Sequence, residues 1–458
     1  AKFVGVDLSK VQIDSGLKYI ADLGLKNIEL KHISITDIDK EFGKFDYIIC
    51  HGVISWVPEH VRVKIFDICN ENLSENGIAY VSYNTLPGWN MVRTIRDMML
   101  YHSQNFADAR EKIAQSRLLL DFIKESVKEQ NTPYSQILEK EAELLSKQSD
   151  HYLRHDHLEE DNKQYYFNEF IGAANKRGLQ YLADSSIASM YVGNMPQGVV
   201  EKLQGLNDIV KVEQYMDFIT NRRFRTTLLC HKDVKLNRAL NNDMIKNFTI
   251  TFDIIPEKPF KDISLNSGDN LKFFYGGNTD NSLSTSSPAL KAVLYVLAEN
   301  RNNPLSYDKI VKLADKKLAG GHKQNIENEL LNNLMNLMIK GYINLSSNVG
   351  NLDKVSKEKP NVITMAKYQA NKTANNWVTN LRHTIVPINN FDKVAVTYMD
   401  GKNTKEQIIK KLLEDIKNNK FSVSKDGNKV EKEEDIKNEI EAFLEDTINR
   451  FYDNALLM

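Results

Sequence analysis

This sequence predicts an α/β fold with a parallel, doubly wound sheet for its first part. Three observations carry that prediction. Short apolar runs alternate with helical patterns over the first 85 residues. The runs are apolar almost throughout, as strands covered on both faces should be. The stretches between them are long enough for helices, a rhythm that means parallel strands joined by crossovers.

In chain order, Phe3-Val4-Gly5-Val6 is a buried-strand run ending on Asp7. Residues 11–23 carry apolar side chains at helical spacing, with Ser9 placed to cap them. Residues 28–33 and 45–50 read as the second and third strands. Residues 61–73 read as a helix stopped by Asn76-Gly77, and 78–83 as a fourth strand. From Gly88 to Leu158 the pattern is helical only; Ile113, Leu120, Ile123 and Val127 share one face. The strand rhythm returns with a helix at 167–176, a strand at 179–183, helix at 198–219 and a strand at 224–230. The expected organisation is therefore an α/β domain over 1–87 and 159–233, interrupted by a helical insertion at 88–158. A mixed middle domain follows at 234–287, with turns at Glu257-Lys258-Pro259 and Gly276-Gly277-Asn278. Residues 288–346 read helix, helix, helix, strand, like a winged helix. Residues 347–458 read as a helical, charge-rich domain in which 425–437 forms a solvated hairpin or loop.

Composition narrows the function classes. At about 150 residues per domain, 458 residues exceed one simple domain. Sixty Lys+Arg against 61 Asp+Glu give a net charge of −1, which excludes a globally basic nucleic-acid binder. The winged-helix-like segment has eight basic and five acidic residues over 288–345, with Arg301 its only arginine. Structural or partner-binding use suits it better than a DNA groove contact. Cys50, Cys69 and Cys230 are too scattered for a disulfide framework or zinc knuckle, and read as thiols of a reducing cytosol. No apolar run reaches the length of about 18 residues that spans a membrane.

Ligands of open α/β sheets sit at the carboxyl ends of strands, which selects the candidate residues. Asp7 closes a strand where a carboxylate would accept hydrogen bonds from both hydroxyls of a ribose; the alternative is an Asp placed near the next helix. His51 and Gly52 end the third strand, and Trp56 follows in the loop; packing roles for His51 and Trp56 stay open. Tyr83-Asn84-Thr85-Leu86-Pro87-Gly88-Trp89 ends the fourth strand with hydrogen-bonding and stacking groups. His151 and His155 share a helix face at metal-binding spacing, but no metal is assigned. Acidic residues around Asp156 and Glu159 suit the mouth of a cleft that takes a cationic substrate, or a solvated helix end.

The strings Phe3-Val4-Gly5-Val6-Asp7-Leu8-Ser9 with Gln12-Ile13, Cys50-His51-Gly52-Val53, Ser55-Trp56-Val57-Pro58 and Asn84-Thr85-Leu86-Pro87-Gly88-Trp89 carry a resemblance. His155-Asp156, Leu158-Glu159, Gly178-Leu179-Gln180-Tyr181-Leu182-Ala183, Asn221-Arg222-Arg223-Phe224-Arg225 and Val378-Thr379-Asn380-Leu381-Arg382-His383 extend it over most of the chain. They resemble the class I S-adenosylmethionine-dependent methyltransferases that carry a regulatory region, and within these the rickettsial protein-lysine methyltransferases. The resemblance implies a Rossmann-like sheet and S-adenosylmethionine as cofactor, with S-adenosylhomocysteine as product. It also implies a substrate that presents lysines on an outer-membrane surface protein. Asp7 would take the cofactor ribose, Leu8 would pack on adenine with Gln12 beside it, and Ser34 and Ile35 would read the adenine edge. His51 and Gly52 would line the methionine end. His157 departs from the aromatic residue expected at its position. The family's glycine-rich loop has no counterpart in these residues, and a strand–turn–helix unit of about 30 residues is expected before Ala1.

The expected activity is methyl transfer to protein lysine in the cytoplasm. Trp56, Tyr83, Asn84 and Trp89 would form the lysine channel, Tyr83 or His51 would help deprotonation, and Asp156 and Glu159 would recruit the cation. The rival readings are a small-molecule methyltransferase, and an inactive cofactor-binding or partner-docking module. The helical insertion is longer than a crossover needs and is expected to form a homodimer interface.

Overall fold

A computed structural model describes residues 1–276, 281–301, 303–347, 355–425, 428–430 and 432–458. The chain forms two compact units. One comprises Lys2–Asp14 and Glu29–Arg238; the other comprises Ala1, Ser15–Ile28 and Ala239–Met458.

In the first unit the strands are β1 (Phe3–Asp7), β2 (Ile28–His32), β3 (Phe45–Cys50), β4 (Leu73–Asn84), β5 (Leu179–Asp184) and β6 (Phe224–His231). β1 pairs with β2, and the other four form a sheet in the order β3-β4-β6-β5. β3 and β4 are parallel, as the sequence predicts. β6 lies antiparallel between β4 and β5, so the sheet is mixed and not parallel throughout. Helices α1 (Lys10–Asp22) and α2 (Glu59–Asn72) are the predicted crossovers. β4 starts five residues before its predicted start because Asn76-Gly77 makes a bulge and not a helix stop. Phe45 pairs with Leu73 and Tyr47 already with Ile78. A Cβ on Gly77 would lie 3.0 Å from the Phe45 carbonyl oxygen, so glycine lets the two strands approach there.

The inner face of β4, Ala79, Val81 and Tyr83, is buried against Phe66 and Cys69 of α2 and Phe170 of α6 (Phe167–Asn175). The predicted helix at 198–219 is two helices, Gln197–Leu203 and α7 (Ile209–Thr220). Asp208 separates them by accepting hydrogen bonds from the N–H groups of Val210 and Lys211.

The helical insertion comprises α3 (Trp89–Ser103), α4 (Ala109–Val127) and α5 (Pro133–Ser146), then a short turn running into a π-helical turn at Leu153–His157. Its own core contains Ile95, Met99, Leu120, Leu138 and Leu153. His157 is buried beside it, and neither ring nitrogen has a hydrogen-bond partner. Burial, helped by the positive charge of Arg96, lowers its pKa to about 4. Between that value and the unfolded value near 6.5, the unfolded chain binds more protons than the folded one. Stability is therefore complete above pH 6.5 and is lost as pH falls toward 4, by up to about 3 kcal/mol. His157→Phe is expected to flatten this loss, as measured by urea unfolding at pH 7 and pH 5.

In the second unit, the segments 234–287 and 288–346, expected as separate modules, share one core. Ile250, Phe252 and Phe273 pack with Leu294, Ile310 and Leu330, and Thr249–Phe252 pairs with Leu305–Ser306 and Ile343–Ser346. A second core gathers Val362, Val378, Leu412, Ile440 and Phe451. Of the predicted turn Gly276-Gly277-Asn278, only Gly276 lies within the described residues. The predicted hairpin or loop at 425–437 is a hairpin of Ser424–Lys425 with Asn428–Lys429, and residues from Glu433 onward already belong to a helix. Residues 426, 427 and 431 of that stretch lie outside the described residues.

Candidate active site

Asp7 ends β1 exposed, with Oδ1 accepting the Ser9 N–H at 2.7 Å. That bond turns the chain into α1 and leaves the carboxylate further acceptor positions for vicinal hydroxyls. Leu8 is 72 % exposed, and Gln12 is exposed one turn into α1. The Leu8 carbonyl lies 2.9 Å from His32 Nε2, which ties the ends of β1 and β2 together. Beyond β2, Ser34 caps a short turn by accepting the Thr36 N–H, and its own N–H donates to Asp37. Ile35 is half-buried against the sheet core.

At the end of β3, His51 is exposed and Gly52 has φ +67°, with open space where a side chain would stand. Ile54–Trp56 then forms a single 3₁₀ turn. Its buried Ser55 accepts the Asn84 N–H at 3.0 Å, joining this turn to the end of β4. Trp56 is half-buried and meets Trp89 edge to face, with ring centroids 6.0 Å apart. Trp89 itself is buried, because Gly88 brings the start of α3 close to the chain before β6. A Cβ on Gly88 would lie 2.4 Å from the carbonyl oxygens of Asn221 and Arg222.

The segment after the helical insertion is stitched to the same corner. Lys163 N–H donates to the Ser55 carbonyl, Tyr165 N–H to Asn84 and Leu86 N–H to Tyr165. The buried Arg96 donates to the Glu159 and Glu160 carbonyls. Glu159 is thereby placed beside Trp56. A cleft of about 400 Å³ is lined by Trp56 and Leu158, the acids Glu159, Glu160 and Asp161, and the bases Lys112 and Arg154. It has an aromatic wall and, with three acids against two bases, an excess of one negative charge, a combination that can accept an organic cation.

Four sequence expectations need correction. Tyr83 is fully buried: its hydroxyl shares a hydrogen bond with Thr227 at 3.0 Å, and its ring stacks on Phe170 at 3.8 Å. Burial pushes its pKa up, so it has neither the access nor the acidity to deprotonate a substrate. Asn84 is buried and holds Asn162 at 3.4 Å; it braces the corner and does not line the cleft. Trp89 backs Trp56 from inside the fold. Asp156 lies outside the cleft lining, and burial raises its pKa despite its hydrogen bond with Tyr152. The His151 and His155 rings are tilted against each other with centroids 4.4 Å apart, and among the described residues no third ligand joins them.

Sequence reasoning missed a buried ion cluster beneath β6. Arg225 is fully buried and bonds Asp217 at 2.8 and 2.9 Å and Glu213 at 2.9 Å, with Asp184 at 3.6 Å. Arg222 bonds Asp217 at 2.9 Å, and Tyr181 donates to Glu213 at 2.7 Å. Burial opposes charge on Arg225, but the bonds and charges of its acidic partners hold it protonated. The alternation of Arg225 with Thr227 and Leu229 on one face of β6 was the available signal.

Comparison with known proteins accords with this geometry. Family models match residues 1–79 as a methyltransferase domain, 149–231 as a predicted methyltransferase regulatory domain, and 358–456 as a PKMT C-terminal winged helix domain. The winged-helix name thus falls on 358–456, and not on the 288–346 segment that the sequence pattern singled out. The Rickettsia prowazekii (strain Madrid E) protein RP789 is 57% identical over all of this chain and 83% of its own length. The structure of PKMT2 from Rickettsia typhi in complex with AdoHcy is 41% identical, with a TM-score of 0.89 over 100% of this chain and 89% of that one. Together these matches show that the chain belongs to the rickettsial PKMT family of class I S-adenosylmethionine-dependent protein-lysine methyltransferases.

Proposed function

We propose that this methyltransferase modifies lysines of an outer-membrane surface protein, and that the cleft of Trp56 and Glu159 receives the lysine. The observation that carries the site is the pairing of one aromatic wall with three consecutive acids, which outnumber the two bases of the same cleft, Lys112 and Arg154. The resemblance to the rickettsial protein-lysine methyltransferases supports the class of protein.

The residues at the strand ends fit the cofactor. Asp7 would hold the ribose diol, and the exposed Leu8 offers adenine an apolar surface with Gln12 beside it. Ser34 and Ile35 would meet the adenine edge, while His51 and Gly52 would face the methionine end. Bound S-adenosylmethionine supplies a sulfonium methyl for in-line displacement, so the protein contributes mainly positioning. A lysine of ordinary pKa, about 10.4, must lose a proton before it can attack. Glu159, Glu160 and Asp161 attract the ammonium group and favour its charged form, while desolvation against Trp56 opposes that and lowers its pKa, so that the proton passes to solvent water before attack.

Trp56→Ala is expected to lower kcat/KM for protein methylation about 10–100-fold, the scale of a buried aromatic anchor. Glu159→Gln is expected to raise KM about twofold to fivefold at low salt and to have little effect at high salt. Initial rates at two ionic strengths measure both; wild-type rates for both variants would contradict this cleft assignment.

The homodimer belongs to the same proposal, supported by exposed apolar side chains on the helical insertion, Tyr101 on α3 and Leu118 and Phe122 on α4. Light scattering is expected to give twice the chain mass, and a charged Phe122→Glu variant to give a monomer. A cytoplasmic setting is supported by three free thiols. No helix among the described residues is long and apolar enough to cross a membrane.

A further inference from the structure

The His51-Gly52 pair is held from β4 at two points. The Gly52 N–H donates to Ser82 Oγ at 2.8 Å, and the Tyr80 hydroxyl lies 3.3 Å from His51 Nδ1. Tyr80 and Ser82 are two residues apart on one strand, so they share a face. Tyr80 stands opposite Ile49 and reaches His51 along the diagonal. The imidazole also sits between two rings: its centroid is 5.8 Å from that of Tyr80 and 6.0 Å from that of Phe224 on β6. Side chains from two strands, Tyr80 of β4 and Phe224 of β6, therefore meet at one imidazole just past the end of β3, directly before the turn that the positive φ of Gly52 makes.

The hydrogen bond between Tyr80 and His51 has a preferred direction. A phenol is more acidic than an imidazole N–H and donates more readily than it accepts. Burial, and then the negative charge of Asp184, keep the Tyr80 hydroxyl protonated. When Nδ1 accepts, the neutral ring carries its proton on Nε2.

We propose that Tyr80 is a positioning residue of the active site, fixing His51 in the tautomer that presents Nε2–H. In this arrangement His51 serves the methionine end of the cofactor as a hydrogen-bond donor and does not take the proton from lysine. The inference rests on the reading of His51 as a cofactor residue.

Calorimetric titration of S-adenosylhomocysteine into the full-length protein tests it, with His51→Ala, His51→Gln, Tyr80→Phe and Tyr80→Phe/His51→Ala variants. His51→Ala is expected to weaken binding about tenfold, and His51→Gln to recover most of that loss because its amide N–H stands in for Nε2–H. Tyr80→Phe is expected to weaken binding about threefold when His51 is present and not at all in the His51→Ala background. The acid limb of the methylation pH profile is expected at the same place in the wild type and His51→Gln. Thermal melts of each variant identify any loss caused by unfolding.

An equal Tyr80→Phe effect in both backgrounds would overturn the inference, as would a His51→Gln variant no better than His51→Ala. If His51→Ala weakens binding and Tyr80→Phe does not, the positioning role of Tyr80 alone fails. If His51→Ala leaves binding unchanged, the reading of His51 fails and the inference falls with it.

Discussion

Arg225→Met is expected to lower the stability of the first unit by about 3–5 kcal/mol, the cost of breaking a buried ion group by removing one partner. The wild-type cluster sets three carboxylates, Asp184, Glu213 and Asp217, around two guanidinium groups, Arg222 and Arg225. Removing Arg225 leaves three buried carboxylates with one cation. Burial already raises the pKa of Glu213 and Asp217, so the variant must take up protons or unfold. The guanidinium also lies 3.7 Å over the Phe167 ring, a contact Met replaces only in part. Arg225→Met/Glu213→Gln is expected to be less destabilised than Arg225→Met alone. It restores the original excess of one negative charge and keeps an acceptor for Tyr181. Urea unfolding of the three proteins measures this order; a double variant less stable than the single would contradict the charge account.

Asp7→Ala is expected to weaken cofactor binding about 10–100-fold, as for loss of a charged hydrogen bond. Asp7 is exposed, and its local partner is the Ser9 N–H. Fold stability should therefore change by less than about 1 kcal/mol, since the loss resembles that of a helix-entry turn. Affinity and stability thus separate, which is the signature of a binding residue. Asp7→Asn should fall between, because its amide oxygen still accepts but carries no charge. Calorimetry with S-adenosylhomocysteine, paired with a thermal melt, measures both quantities. An Asp7→Ala protein with unchanged affinity would remove Asp7 from the cofactor site.

The sequence makes the alternating strands and helices legible because apolar periodicity reports directly on burial. It also makes Trp56 and Glu159 legible as candidates, one from the strand-end rule and the other from a run of acids. It does not show that the two stand together. Their proximity depends on Tyr165 pairing with Asn84 across the whole helical insertion, a long-range contact with no local signal. Tyr83 illustrates a second limit. Its place near a strand end suits catalysis, but its face follows Val81 and Ala79 into the core, and the string around it does not say which face is covered. Asn76-Gly77 shows a third, since the same pair signals a helix stop or a bulge, and pairing with β3 decides between them. Tyr80 carries no motif at all, and its place opposite Ile49 becomes visible only with the strand register.

The proposed methylation of protein lysines through the cleft of Trp56 and Glu159 can be read by mass spectrometry of outer-membrane proteins incubated with the full-length enzyme and isotope-labelled S-adenosylmethionine, with Trp56→Ala alongside. Labelled methyl groups are expected on lysine side chains, strongly reduced by Trp56→Ala. Label confined to small molecules, or lysine labelling that Trp56→Ala leaves unchanged, would contradict it.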